Sequence, residues 1–146
     1  MIARLVVFAL LLLGCSRAAP DSTPDGVVRL WLDKMEDSAD DPRAIREAYA
    51  LLGPSARANL EERARRTSQL QGKRAEPWQM LADAHFGLHF RPKSMKASTV
   101  GDRATVEVLG SDANERASVR CVVENGAWRV EPELPEPVVL PKRDGG

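Results

Sequence analysis

The chain has 146 residues, 43% of them hydrophobic, and sets 21 basic side chains against 21 acidic ones. Its densest basic stretch, Glu62-Arg63-Ala64-Arg65-Arg66, carries its own acid and follows Glu61, which excludes nucleic acid as the main partner. Two cysteines and two histidines leave little material for a disulfide framework or a metal cluster.

Residues 1–14 read as an export signal. A free amine and Arg4 supply the positive start, Leu5 to Leu13 is unbroken apolar sequence, and Gly14 is the small closing residue. The apolar run is about half of the roughly 20 residues that a membrane span requires. Arg17, Pro20, Asp21 and Pro24 break any helical continuation. Leu12-Leu13-Gly14-Cys15 resembles the lipobox of bacterial lipoproteins, with Leu13 where that family more often has Ala, Ser or Thr. The resemblance implies cleavage before Cys15, a diacylglycerol thioether on its sulfur and, in many bacteria, a further acyl chain on its amine. The lipid bilayer would then be a partner, because several acyl chains anchor stably where one does not. Ser16, rather than Asp, follows the cysteine, so the expected address is the outer membrane, on its periplasmic side or at the cell surface. Residues 15–23 read as a flexible tether. An acylated Cys15 leaves Cys121 without a partner in the chain. No His or Lys sits near Cys121 in sequence, so it reads as a small buried hydrophobe.

Residues 24–134 read as a single domain. Thr23-Pro24-Asp25 combines a hydroxyl cap, a proline for the first turn and an acid at the positive helix end. Val28, Trp31, Leu32 and Met35 then follow helical spacing. Asp40-Asp41-Pro42 starts a second helix with Ile45, Ala48, Tyr49 and Leu52 on one face, and Gly53-Pro54 ends it. Ser55 is the expected cap of a third, along which Ala56, Leu60 and Ala64 align. Residues 67–75 lack periodicity and read as a loop. Glu76-Pro77-Trp78 begins a short fourth helix that Gly87 ends.

Beyond residue 90 the hydrophobic period changes from 3.6 to 2. Gly101-Asp102 and Asn125-Gly126 are two-residue hairpin turns. Folding about them sets Met95 opposite Val108, Ala97 opposite Val106, Thr99 opposite Ala104, Cys121 opposite Val130 and Val123 opposite Trp128. A loop over Ser111 to Asn114 joins the hairpins and pairs Val108 with Ala117 and Val106 with Val119. Every apolar pair falls on one face, while Lys96–Glu107 and Arg120–Glu131 fall on the other. A slip of one residue would destroy both agreements. Residues 135–146 are Pro-rich and read as a mobile tail.

The expected fold is α+β: N-terminal helices packed on one face of a curved four-stranded antiparallel sheet. This order, with AYALLGPSARANL, VGDRATVEV and the closing GAWRVEPELP, resembles small exported members of the nuclear-transport-factor-two-like superfamily. The resemblance implies a cone with a pocket between helices and sheet. It ties the chain to no single activity.

The residues expected to line the pocket that the resemblance implies are Trp31, Tyr49, Trp78, Val106, Val119, Cys121 and Trp128, with simple core packing as the other reading of the aromatics. Catalytic candidates are few. Asp83 and His85 stand as an acid–base pair near a helix end, and Tyr49 offers a phenol. His85 and His89 have metal-ligand spacing, but Gly87 interrupts them and no third ligand is apparent, so neither metal nor cofactor is expected. The inner sheet face is apolar and carries no acid. The reading that follows is a non-catalytic, membrane-anchored domain binding a small apolar ligand or an envelope protein. The alternatives are an isomerase- or dehydratase-type acid–base enzyme using Asp83, His85 or Tyr49, and a purely structural envelope module.

Overall fold

The computed structural model describes residues 18–82 and 88–137. Four α-helices precede four strands: α1 (Pro24–Asp37), α2 (Pro42–Ala50), α3 (Pro54–Gln71), α4 (Pro77–Ala82), β1 (Ser94–Val100), β2 (Arg103–Leu109), β3 (Arg116–Glu124) and β4 (Ala127–Glu131). The strands form an antiparallel meander in the order β1-β2-β3-β4. The α+β layout with helices first is therefore the observed one.

The helix starts follow the local chemistry. Thr23 Oγ1 accepts from the Gly26 N–H, and Asp41 Oδ1 accepts from the Arg43 N–H. Each satisfies a donor that the first turn leaves without a helical partner. Two expectations are corrected here. Residues 67–71 are helical, because α3 runs on to Gln71 and ends at Gly72 in the left-handed region, φ 64°. Its apolar stripe fades after Ala64, and Leu70 is 70% exposed, so periodicity cannot reveal this last turn. Side-chain bonds mark it instead: Ser68 Oγ donates to the Ala64 carbonyl and accepts from the Ala75 N–H. Ser55, the expected cap of α3, lies inside the helix, and Gly53 holds the cap position without a side chain.

The missing cap comes from the far end of the sheet. Glu131 Oε1 accepts from the Ser55 N–H at 3.0 Å and Oε2 from the Ala56 N–H at 2.9 Å. A carboxylate there meets two free donors and the positive end of the helix dipole. The connection before α3 also pairs with β4. Val130 N–H donates to the Leu51 carbonyl, Gly53 N–H donates to the Val130 carbonyl, and Leu52 and Val130 form a parallel bridge. Arg57 completes the joint, donating to the Leu52 carbonyl and to both carboxylate oxygens of Glu124. That pairing holds the Glu124 carboxyl below the usual carboxylate range.

The sheet register is the one that the turns dictate. Met95–Val108, Ala97–Val106, Thr99–Ala104, Val106–Val119, Cys121–Val130 and Val123–Trp128 are all partners. Lys96–Glu107 and Arg120–Glu131 are also in register, but neither closes as an ion pair. Glu107 meets Arg116 at 3.2 Å and Arg120 meets Glu133 at 3.4 Å. Glu131 is occupied at α3, which explains the second exchange.

The core lies between the inner sheet face and the helices. Val27, Val28 and Trp31 of α1, Ile45 and Ala48 of α2, Leu60 of α3 and Leu81 of α4 pack with Val106, Val108, Cys121 and Val130. Burying each large apolar side chain contributes roughly 1.5–3 kcal/mol. The covering is uneven: Val130 is fully buried, whereas Ala97 and Thr99 on β1 are exposed.

Replacing Glu131 with Ala is expected to cost about 1–2 kcal/mol, the usual value of a helix cap. Gly53→Ala should act through the same contact, since its Cβ would sit 2.7 Å from Glu131 Cδ and 2.9 Å from Cγ. The two costs measured by urea denaturation should therefore sum to more than that of the double variant. Additive costs would show that Gly53 does not act through the cap.

Candidate functional site

Open grooves border the described part of the domain, and none of them is the enclosed helix–sheet pocket that the resemblance implies. One of them, about 840 Å³, is lined mainly by the face of the sheet turned away from the core. Alternation along the strands places Ser98 and Val100 of β1, Arg103 and Thr105 of β2, and Arg120 and Val122 of β3 in it. Pro54, Ser55, Ala56 and Asn59 of α3 line it as well.

Residues 131–134 also border this groove. Pro132 has no N–H to extend β4, so the chain leaves the sheet there. Glu133 is held by Arg120. Asn59 and Arg63 then donate to the Pro135 carbonyl, and Arg66 donates to the Pro137 carbonyl at 3.0 Å. The first residues of the Pro-rich tail thus lie along α3.

The groove is chemically mixed. Val100 is 80% exposed. Arg103 is exposed and has no ion-pair partner among the described residues. Hydroxyls of Ser98 and Thr105 stand nearby on the same face. Small-molecule sites are mostly apolar and enclose their ligand; this trough is open and mixed in chemistry.

The second groove, about 610 Å³, lies between α1 and residues 88–95. Trp31, Leu32, Met35, Leu88, Phe90 and Met95 give it apolar walls, with Arg29, Asp33, Glu36 and Arg91 among its other residues. His89 borders it and is exposed.

The residues expected to line a pocket are distributed differently. Val106 and Val119 are core. Trp31 is 2% exposed and touches the second groove, and Cys121, equally buried, touches the first. Trp78 is half-buried beneath the Arg46 guanidinium, which lies 4.6 Å from its ring centroid. Trp128 is half-buried against the core. Tyr49 Oη lies 3.4 Å from Glu61 Oε1. Partial burial, then the neighbouring Glu61 charge, pushes its phenol pKa upward, which makes it a poor base near neutral pH. Asp83, His85 and Cys15 lie outside the described residues. Among the described residues, no three His, Cys, Asp or Glu side chains cluster as a metal site. No described helix is long and apolar enough to cross a membrane.

Sequence reasoning missed the outer groove because its walls come from α3 and the 131–134 segment, far apart in sequence. The alternation of Arg103, Thr105 and Arg120 marked only a solvated sheet face. No protein-family model, curated protein or solved structure matches the chain.

Burial pushes the Cys121 thiol up to about 12, with the Glu131 charge adding to the effect. The thiol is therefore protonated at pH 8 and is a poor nucleophile. Cys121 should stay unmodified by a thiol-specific reagent in the native protein and react rapidly after urea unfolding, as read by peptide mass spectrometry. Fast labelling of the native protein would contradict this burial.

Proposed function

We propose that this chain is an exported lipoprotein, acylated at Cys15, whose nuclear-transport-factor-two-like domain is a non-catalytic module binding an envelope protein. The observation that carries the binding reading is the filled helix–sheet core beside an open groove of about 840 Å³ on the opposite sheet face. The groove's chemistry specifies the occupant. Exposed Val100 favours an apolar side chain, and Arg103 favours a carboxylate close to it. An extended segment of a protein partner carries both. Support for the address is the LLGC motif after a short apolar run. A small apolar ligand is less well matched, because arginines and hydroxyls occupy the groove.

The anchor is tested on the N-terminal peptide of protein recovered from membranes. Acylation of Cys15 with loss of Met1 is the expected mass, and Cys15→Ser should release the domain from the membrane fraction. An unmodified Cys15 or a retained Met1 sinks that half of the reading. The binding half is tested by a photo-crosslinking residue at position 105 of the anchored protein in its own envelope. One discrete heterologous adduct is expected, reduced about tenfold by Arg103→Glu if the partner's carboxylate pairs there. Absence of any adduct, or an adduct indifferent to Arg103→Glu, would remove the groove from the function.

A further inference from the structure

We infer that β1 is a docking edge for a second copy of this chain, joined antiparallel about a two-fold axis at Ala97. The two edges of the sheet differ. β4 is covered, since Val130 bonds outward to Leu51 and Gly53. β1 stands at the opposite edge, is seven residues long, contains no proline, and is exposed at every residue except the half-buried Met95. Long uncovered edges invite pairing, and proteins commonly blunt them.

The turn fixes which backbone groups are available. Val100 and Arg103 close the two-residue Gly101-Asp102 hairpin, so that pair exchanges hydrogen bonds and the pattern alternates from there. Ser94, Lys96, Ser98 and Val100 therefore bond to β2. Met95, Ala97 and Thr99 direct their N–H and C=O groups away from the sheet. The same alternation from the Asn125-Gly126 turn gives Val130 an outward phase, which its bonds to Leu51 and Gly53 bear out.

The strand is self-complementary in one register. With the axis at Ala97, Ala97 faces Ala97, and Met95 of each copy faces Thr99 of the other. All three outward residues then form hydrogen-bonded pairs. Lys96 faces Ser98, so the strand's single charge avoids its own image. An axis at Lys96 would instead set two lysines in a close pair, which is unfavourable. The Ala97 axis also brings Lys93 of one copy beside the Gly101-Asp102 turn of the other. Neither Lys93 nor Asp102 has an ion-pair partner among the described residues. On the inner face Ala97 and Thr99 are exposed, so the helices cover the start of this edge at Met95 and leave the rest of it bare. The result is a continuous eight-stranded sheet.

The test uses the full chain in detergent. Hydrogen-bonded partners have Cα atoms about 5.5 Å apart, inside the range a disulfide spans. Ala97→Cys should therefore oxidise to a covalent dimer. Val100→Cys should not, because six residues of strand separate it from its own image, about 20 Å. Val100 is the more exposed position, so random collision would favour it. An Ala97→Cys dimer yield at least about fivefold above both Val100→Cys and the wild type supports the register; equal yields, or none, overturn it. By sedimentation the wild type should self-associate, and Ala97→Lys should be a monomer with an unchanged far-UV spectrum. A wild type that sediments as a monomer throughout, or an Ala97→Lys variant that associates as well as the wild type, overturns the proposal.

Discussion

The carboxylate of Glu131 sits where the end of the sheet meets the start of α3, and the architecture turns on that meeting. It joins residues 75 and 76 positions apart in sequence. Around it, Leu51 and Gly53 bond to Val130, and Arg57 spans from the Leu52 carbonyl to Glu124. Each bond alone contributes about 1 kcal/mol net. Together they fix the angle at which α3 leaves the sheet, and so the position of one side of the outer groove. They also explain why Gly53 has no side chain, since a Cβ would strike the capping carboxylate.

A joint at one edge has a consequence at the other. With Leu51–Gly53 and the start of α3 committed to β4, the helices cover the sheet from β4 as far as Met95 at the start of β1 and leave the end of β1 bare. Val106, Val108 and Val130 are fully buried, while Ala97 and Thr99 on the same sheet face are exposed. The apolar inner face thus becomes a packed core, and chemistry that varies from residue to residue is displaced to the outer face. Arg103, Thr105, Arg116, Ser118 and Arg120 alternate there with the core residues of β2 and β3.

Local rules reached most of the fold. Two-residue turns set the strand register, because a hairpin of fixed loop length admits one pairing and the alternating apolar residues agree with it. Thr23 and Asp41 were legible as caps because their acceptors serve donors two or three residues away. Ser55 was misread for the complementary reason: the true cap, Glu131, is brought to α3 by tertiary structure that no local window contains. The last turn of α3 was hidden because Arg65, Arg66 and Leu70 project from a surface with no apolar stripe to announce it. The outer groove was invisible for both reasons, since its floor read as ordinary solvated strand and its walls come from remote segments.

Proline placement carries the same logic to the edges. Pro24, Pro42, Pro54 and Pro77 each begin a helix, where the missing N–H forfeits no helical bond. Pro132, Pro135 and Pro137 follow β4 and turn the chain onto α3, where Asn59, Arg63 and Arg66 take their carbonyls or those near them. Between Pro92 and Pro132 there is none. The strands can therefore pair along their whole length, and β1, lacking the proline that would blunt an edge, keeps three residues' worth of outward N–H and C=O groups. Only Lys96 limits what can pair there, and one charge on a seven-residue strand selects a register more readily than it forbids association. The feature that makes the sheet regular is thus the one that leaves its free edge able to extend.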